Sequence, residues 1–250
     1  MKYRFLFTEL VKKDIKLKYR RSYLGILWTL LEPLLTMMVL TVVFGGFYGK
    51  SDRTFPVYIL TGRLLYSFFS NATKAATKSI RSNASMIKKV YVPKYIYPVA
   101  TISSNYLIFL ISLVVLIPVA LVLGVYPTRH LIFAVVPLVI LLVMTMGIGL
   151  ILSTLAVFFR DMEYLWGVIL MLIMYSSAIF YEPARVMKNG YGWIFDINPL
   201  YACIVNFRNA VFGAAPDLRA LAFSMIVAVV SLGLGLLVFY KNQDRFILHV

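Results

Sequence analysis

Two ionisable residues, Glu32 and Arg63, stand inside runs apolar enough to leave water. A charge at such a place is costly and ordinarily faces a cavity, a water path or a partner. Glu32 falls about two helical turns from one end of its run, and Arg63 about two turns from the far end of the next. That spacing sets the two at different depths and predicts no direct ion pair between them. For Glu32, bonding to the neighbouring N-terminal Arg/Lys cluster competes with a pathway role. For Arg63, snorkelling to headgroups competes with lining a conduit. Aromatic residues gather along three of the runs: Trp28, Phe44, Tyr48, Tyr66, Phe68, Phe69, Tyr175, Phe180 and Tyr181. Such rings offer an apolar face on which a sugar stacks, and Tyr or Trp adds a polar handle. Interfacial anchoring explains the same residues equally well.

Other chemistries lack their residues. The two histidines, His130 and His249, fall in a connection and beside the C-terminus, where neither can serve as base to a nucleophile inside the membrane. With Cys203 as the single cysteine there is no intrachain disulfide and no cysteine–histidine metal cluster. No GxxxxGK[ST] loop occurs to cradle a nucleotide phosphate. The chain is therefore not an enzyme by itself, and no cofactor is expected within it.

The elements that must position Glu32 and Arg63 follow from composition. The 250 residues are 61% hydrophobic and 14% charged, with mean hydropathy +0.85. That departs from an average soluble domain, at about 45–50% apolar and about 25% charged, and predicts an all-α multi-pass membrane protein. The net charge of +15 sits in blocks between apolar runs, which reads as topology signal facing anionic lipid rather than nucleic acid. Lys12 to Leu35 passes from a densely cationic stretch into the first long apolar run, and so orients the chain. With no small-residue cleavage site beside these charges, a removed signal peptide is not expected. Residues 3–20 read as an amphipathic helix in the headgroup layer, with Tyr3, Leu6, Phe7, Leu10, Val11, Ile15 and Leu17 opposite a basic face.

Six transmembrane helices are predicted, at about 24–44, 55–76, 96–125, 131–159, 164–181 and 218–240. Seventeen Lys and Arg fall on the side of both termini and seven on the other, which makes the N- and C-termini cytoplasmic. The basic loop 74–95 between the second and third spans is cytoplasmic by the same rule and helix-compatible over Ala75–Lys89. Residues 182–216 are too polar for an ordinary span yet rich in aromatics, and Asn198-Pro199 breaks any single helix there. Two short re-entrant helices dipping into the outer leaflet are predicted, since irregular backbone at membrane depth must be covered by protein or water.

An ordered set of short motifs runs through nearly the whole chain. Arg20-Arg21-Ser22-Tyr23-Leu24-Gly25-Ile26-Leu27-Trp28 with Glu32-Pro33-Leu34 comes first, then Gly62 and Phe68-Phe69. Lys89-Val90-Tyr91-Val92-Pro93-Lys94 with Pro98, Phe159-Arg160-Asp161, Ile179-Phe180-Tyr181 and Asn198-Pro199-Leu200-Tyr201 follow. In this the sequence resembles the permease subunits of ABC-2 type exporters for polysaccharides and teichoic acids. Tyr66 stands where a Trp is common in that family, and Ala178 precedes Ile179 where a Pro is usual.

The resemblance implies one ABC-2 type transmembrane domain over 1–250, working as a homodimer in the bacterial plasma membrane. Residues 1–22 would be the interface helix, and the loop 74–95 would carry a coupling helix (Ser79, Ile80, Ser85, Met86, Lys88, Lys89). Two copies of a separate cytoplasmic ATPase would bind ATP and magnesium. The channel would be lined by Trp28, Glu32, Arg63, Tyr66, Phe69, Tyr175, Phe180 and Tyr181. Trp193, Asn198, Pro199 and Tyr201 would form an outer gate. Lys12, Lys16, Arg20 and Arg21, with Lys88 and Lys89 on the same rim, would collect the pyrophosphate of a polyprenyl-linked glycopolymer. Wall teichoic acid is the first expectation for the cargo, ahead of O-antigen or capsular polymer. A drug or lipid exporter of the same superfamily comes next, and an ATP-independent channel or transporter last; the last typically shows internal repeats, and none is convincing here.

Overall fold

A computed structural model describes residues 3–20, 22–45, 53–89 and 92–246. Arg21, Tyr48, Val90, Tyr91, His249 and most of the Gly45–Thr54 turn lie outside the described residues. Within them the regular elements are all helical. Four helical stretches are long and apolar enough to cross a membrane: Gly25–Gly45, Ile96–Val122, Arg129–Phe158 and Leu218–Arg245.

The amphipathic helix α1 (Arg4–Tyr19) buries Leu10 and Val11. Its apolar stripe docks on a cluster made with Ile80, Ile87, Ile96, Tyr97, Ala100, Leu150, Val157, Phe239 and Phe246. The stripe thus meets protein along its middle, while Phe5 and Leu17 remain exposed. After a 3₁₀ turn at Gly25–Leu27 comes α2 (Trp28–Gly45), with Pro33 inside it. Its outward residues, Val39, Val42 and Val43 among them, are exposed apolar surface of the kind a bilayer or a second subunit covers.

The central element is α3 (Phe55–Ser82), which packs on α2, α5, α7, α8 and α11. Its 28 residues reach about 42 Å, well beyond the roughly 30 Å of hydrocarbon. It is too polar to count among the apolar spans, and it is buried mainly by protein. Its hydroxyls return to its own carbonyls: Thr73 donates to Phe69 O at 2.7 Å, Thr77 to Thr73 O at 2.7 Å and Ser79 to Ala76 O at 2.7 Å. The basic loop expected from residue 74 therefore begins as this helix, because Ala76, Thr77, Ser79 and Ile80 keep the buried side at helical spacing. Only the four-residue α4 (Ala84–Ile87) and the turns after it form the connection.

The third apolar stretch is broken into α5 (Ile96–Leu113) and α6 (Leu116–Val122). Pro118 lacks an N–H and its ring crowds the carbonyl four residues back, at Val114. The backbone answers with three-residue bonds from Val114, Val115 and Ile117 to Ile111, Ser112 and Val114. A 3₁₀ turn at Arg129–Ala134 leads into α7 (Val135–Phe158). The helix α8 (Met162–Ser176) has 15 residues, about 22 Å, and stops five residues short of the expected Tyr181. Three further helices follow, α9 (Pro183–Lys188), α10 (Trp193–Asp196) and α11 (Pro199–Phe212). The last long helix is α12 (Leu218–Asn242), which lies against α7. At that crossing a side chain on Gly147 would meet the backbone of Ser231 and Leu232, and one on Gly235 would meet Gly147 O. Small residues let the two backbones touch.

Candidate functional site

One side of α3 carries Arg63, Ser67, Asn71, Lys74, Lys78 and Ser82, three or four residues apart, as a single polar stripe. Across from it stand Thr101, Ser104, Asn105 and Ser112 of α5 and Thr29, Glu32 and Thr36 of α2. The two rows enclose a furrow. Where α1 roofs it, the furrow opens to about 830 Å³ between Lys13, Asp14, Lys18, Glu32, Lys74, Lys78 and Asn83. Further in it narrows to about 60 Å³ between Glu32 and Arg63, room for a few waters and not for a sugar ring. Lys13 donates to Asn83 Oδ1 at 3.1 Å and Thr101 to Asp14 Oδ2 at 2.9 Å, which tie α1 to α3 and α5. Protein crowded around the Lys18 ammonium holds it below the usual lysine range, and the Glu32 carboxylate opposes that shift. Glu32 therefore faces both the furrow and the basic helix. Among the described residues no ion pair joins Glu32 to Arg63, whose guanidinium lies 5.7 Å from the Tyr66 ring.

Of the aromatics considered for a channel, three are core residues of the protomer. Tyr66 is buried and donates to Leu170 O at 2.9 Å, and Phe69 packs against Trp166 with ring centres 6.2 Å apart. Phe180 is buried on Phe44 at 5.2 Å. Trp28 and Tyr175 are exposed, and Tyr181 reaches Tyr175 O at 2.5 Å. The structure thus brings Glu32 and Arg63 to the furrow together with Phe68, and leaves Trp28, Tyr66, Phe69, Tyr175, Phe180 and Tyr181 off its lining.

At the basic end, Lys12, Lys16 and Arg20 share a concavity of about 430 Å³ on α1 with Glu9, Lys13 and Leu17. Lys12 is paired with Glu9 at 2.9 Å. Among the residues considered for coupling, Ser79 and Ile80 are buried, while Ser85, Met86, Lys88 and Lys89 are exposed on and after α4. Next to them Glu163 accepts from Lys78 at 3.2 Å and Arg81 at 3.0 Å. Arg81 also reaches Ala156 O at the end of α7, so three helices meet there.

The opposite end is organised by Asn198, already marked in the sequence, and by Arg208, which the sequence hides. Asn198 caps α11, accepting from Leu200 N at 3.0 Å and Tyr201 N at 3.2 Å, with Pro199 in the first helical place. Its amide donates to the Ser176 and Ser177 hydroxyls, both at 3.0 Å, where α8 stops. Tyr201 lies tilted against Phe195 with ring centres 4.7 Å apart, and Trp193 is exposed. Arg208 sits inside, 5% exposed. It donates to Ala178 O at 3.0 Å, Ile179 O at 3.3 Å and Tyr58 O at 3.0 Å, and lies 3.5 Å above the Tyr58 ring. The usable signal for it was a lone cation within the otherwise uncharged run Ala202–Val211. Counted only as a topology charge, it gave no hint of its partners, which are carbonyls.

Four apolar stretches long enough to cross a membrane, beside a charged furrow, define an integral membrane protein. Residues 6–212 match the family described as ABC-2 type transporter, and the chain belongs to it. It is a multi-pass protein of the bacterial plasma membrane. It is 28% identical to the O-antigen export system permease protein RfbA of Klebsiella pneumoniae, over 98% of this chain and 97% of that one. The polysialic acid transport protein KpsM of Escherichia coli is 23% identical, over 94% of this chain and 92% of its own. The capsule polysaccharide export inner-membrane protein CtrC of Neisseria meningitidis serogroup A is 25% identical, over 82% and 78%.

Proposed function

We propose that this chain is the membrane subunit of an ATP-driven exporter for a lipid-linked surface polysaccharide of the O-antigen or capsule kind. The observation that carries the reading is similarity over nearly the full length to an O-antigen export permease, with a polysialic acid transporter also aligned almost end to end. These relatives favour such a polysaccharide over the teichoic acid expected first from the sequence.

Six spans are proposed, the four apolar stretches together with α3 and α8. α3 is screened from lipid by its neighbours, and α8 is extended by the unwound Ser177–Tyr181. The basic end with both termini faces the cytoplasm, and α9–α11 form the outer re-entrant segment. Two copies of the chain pair with two copies of a separate ATPase that binds ATP and magnesium. The ATPase seats on α4, where Ser85, Met86, Lys88 and Lys89 are presented. Lys12, Lys16, Arg20 and Arg21 draw the pyrophosphate of a polyprenyl-linked polymer to the cytoplasmic rim. The polymer runs between the two subunits, because the furrow within one subunit is too narrow at Glu32 and Arg63; these residues keep that flank of the path wet. The outer gate is drawn around Trp193, Asn198, Pro199 and Tyr201, and transport uses states that ATP distinguishes.

Deleting the gene in its native host tests this. The expected outcome is loss of surface polysaccharide with lipid-linked polymer held inside, and an ATPase subunit that co-purifies with the tagged permease. Unchanged surface polysaccharide would sink the reading, and loss of a polyol-phosphate polymer instead would return the cargo to teichoic acid.

A further inference from the structure

α3 and α8 run antiparallel and are joined by polar contacts along their whole shared length. Lys78 and Arg81 hold Glu163 at one end. Trp166 Nε1 donates to Thr73 Oγ1 at 2.9 Å, and the Tyr66 hydroxyl donates to Leu170 O at 2.9 Å. At the other end the Tyr58 hydroxyl is shared between Ala178 O at 3.2 Å and Tyr181 O at 2.9 Å. Contacts at four heights make the pair a strut that resists sliding. Its lower end adjoins α4, and its upper end meets α11 through Arg208.

Resting on the exporter reading, we propose that Arg208 is the positioning residue that fastens the outer helix α11 to this strut. Through it, a displacement entering at the coupling end is delivered to the outer gate. The guanidinium takes carbonyls from the α8 terminus (Ala178, Ile179) and from α3 (Tyr58), and its plane covers the Tyr58 ring. It is buried, its Nε has no partner among the described residues, and no carboxylate pairs with it there. Pulling α11 away would strand a buried cation, so the three segments travel together. Gly62 keeps the seat open: a side chain there would come within 2.5 Å of Nη2. Ala178, at φ 45°, turns its carbonyl inward from a left-handed backbone that a residue with a side chain adopts at a cost.

The test uses the chain with its ATPase in proteoliposomes. Phe212→Cys, at the exposed end of α11, is placed in a Cys203→Ala background and labelled with a charged, membrane-impermeant maleimide, with and without ATP and vanadate. The unaltered strut should change the labelling rate roughly tenfold on trapping, whereas Arg208→Gln should lose most of that response with ATP hydrolysis kept within about twofold. Arg208→Lys should fall between, keeping the charge but not the fork. If Arg208→Gln does not assemble, Arg208→Lys carries the test, since it keeps the charge and removes the fork that spans the three carbonyls. A full response in Arg208→Gln or Arg208→Lys overturns the proposal, as does a reporter that never responds in the unaltered strut. Absence of any ATPase with the purified permease removes the exporter reading itself, a distinguishable result.

Discussion

Gly62 faces the Arg208 guanidinium across a gap that admits no Cβ without movement, 2.5 Å from Nη2. Gly62→Ala is expected to destabilise the purified protein by about 1–3 kcal/mol through overpacking. Thermal unfolding in detergent checks it, and an unchanged midpoint would mean that the guanidinium gives way freely. Ala178 invites the opposite experiment. Its φ of 45° costs an L-residue about 1 kcal/mol, so Ala178→Gly should raise the midpoint if its carbonyl stays with Arg208. A proline, usual in the resembling family at this place, could not adopt that backbone, since its ring holds φ near −65°. Glu163, which gathers Lys78 and Arg81 at a half-exposed site, should contribute about 1 kcal/mol, read by Glu163→Gln in the same assay.

At the scale of elements, the α7–α12 crossing rests on backbone contact. Gly147→Val should force the helices apart and cost about 3 kcal/mol, whereas Gly233→Val, where nothing lies within 4 Å, should be nearly neutral. Equal yields and unfolding midpoints for both would refute the close-packed crossing. The helices also record where sequence reasoning runs short. The third span was legible as one apolar run, but its division at Val114 required weighing Pro118 against the carbonyl four residues back. α3 was legible as a span and not in its full length, because Lys74 and Lys78 read as loop until the burial of Ile80 on the other side is seen. α8 ends early because Asn198 and Arg208, far along the chain, claim the groups beyond Ser176.

For the molecule as a whole, the proposed topology sets α4 and α10 on opposite faces of the bilayer. In a Cys203→Ala background, Met86→Cys should label with an impermeant maleimide only from the cytoplasmic side, and Trp193→Cys only from outside. Both side chains are exposed. Labelling of both from one side would invert or break the six-span reading. The exposed apolar residues of α2 and α8, such as Val42, Leu165 and Leu172, must be covered by lipid or by another subunit, since no part of the described chain covers them.

The sequence alone determined what depends on local composition: helices, a membrane solvent, a basic end, the helix break at Asn198-Pro199 and the absence of a nucleotide loop. Hydropathy and periodicity are properties of neighbouring residues and survive without knowing the fold. Only the tertiary structure decided that Tyr66, Phe69 and Phe180 fill the protomer core, that Glu32 and Arg63 share one furrow, and that Arg208 holds three segments together. Those outcomes rest on contacts between distant parts of the chain. Arg208's partners in particular are backbone carbonyls, which every residue carries and which therefore leave no mark in the order of amino acids.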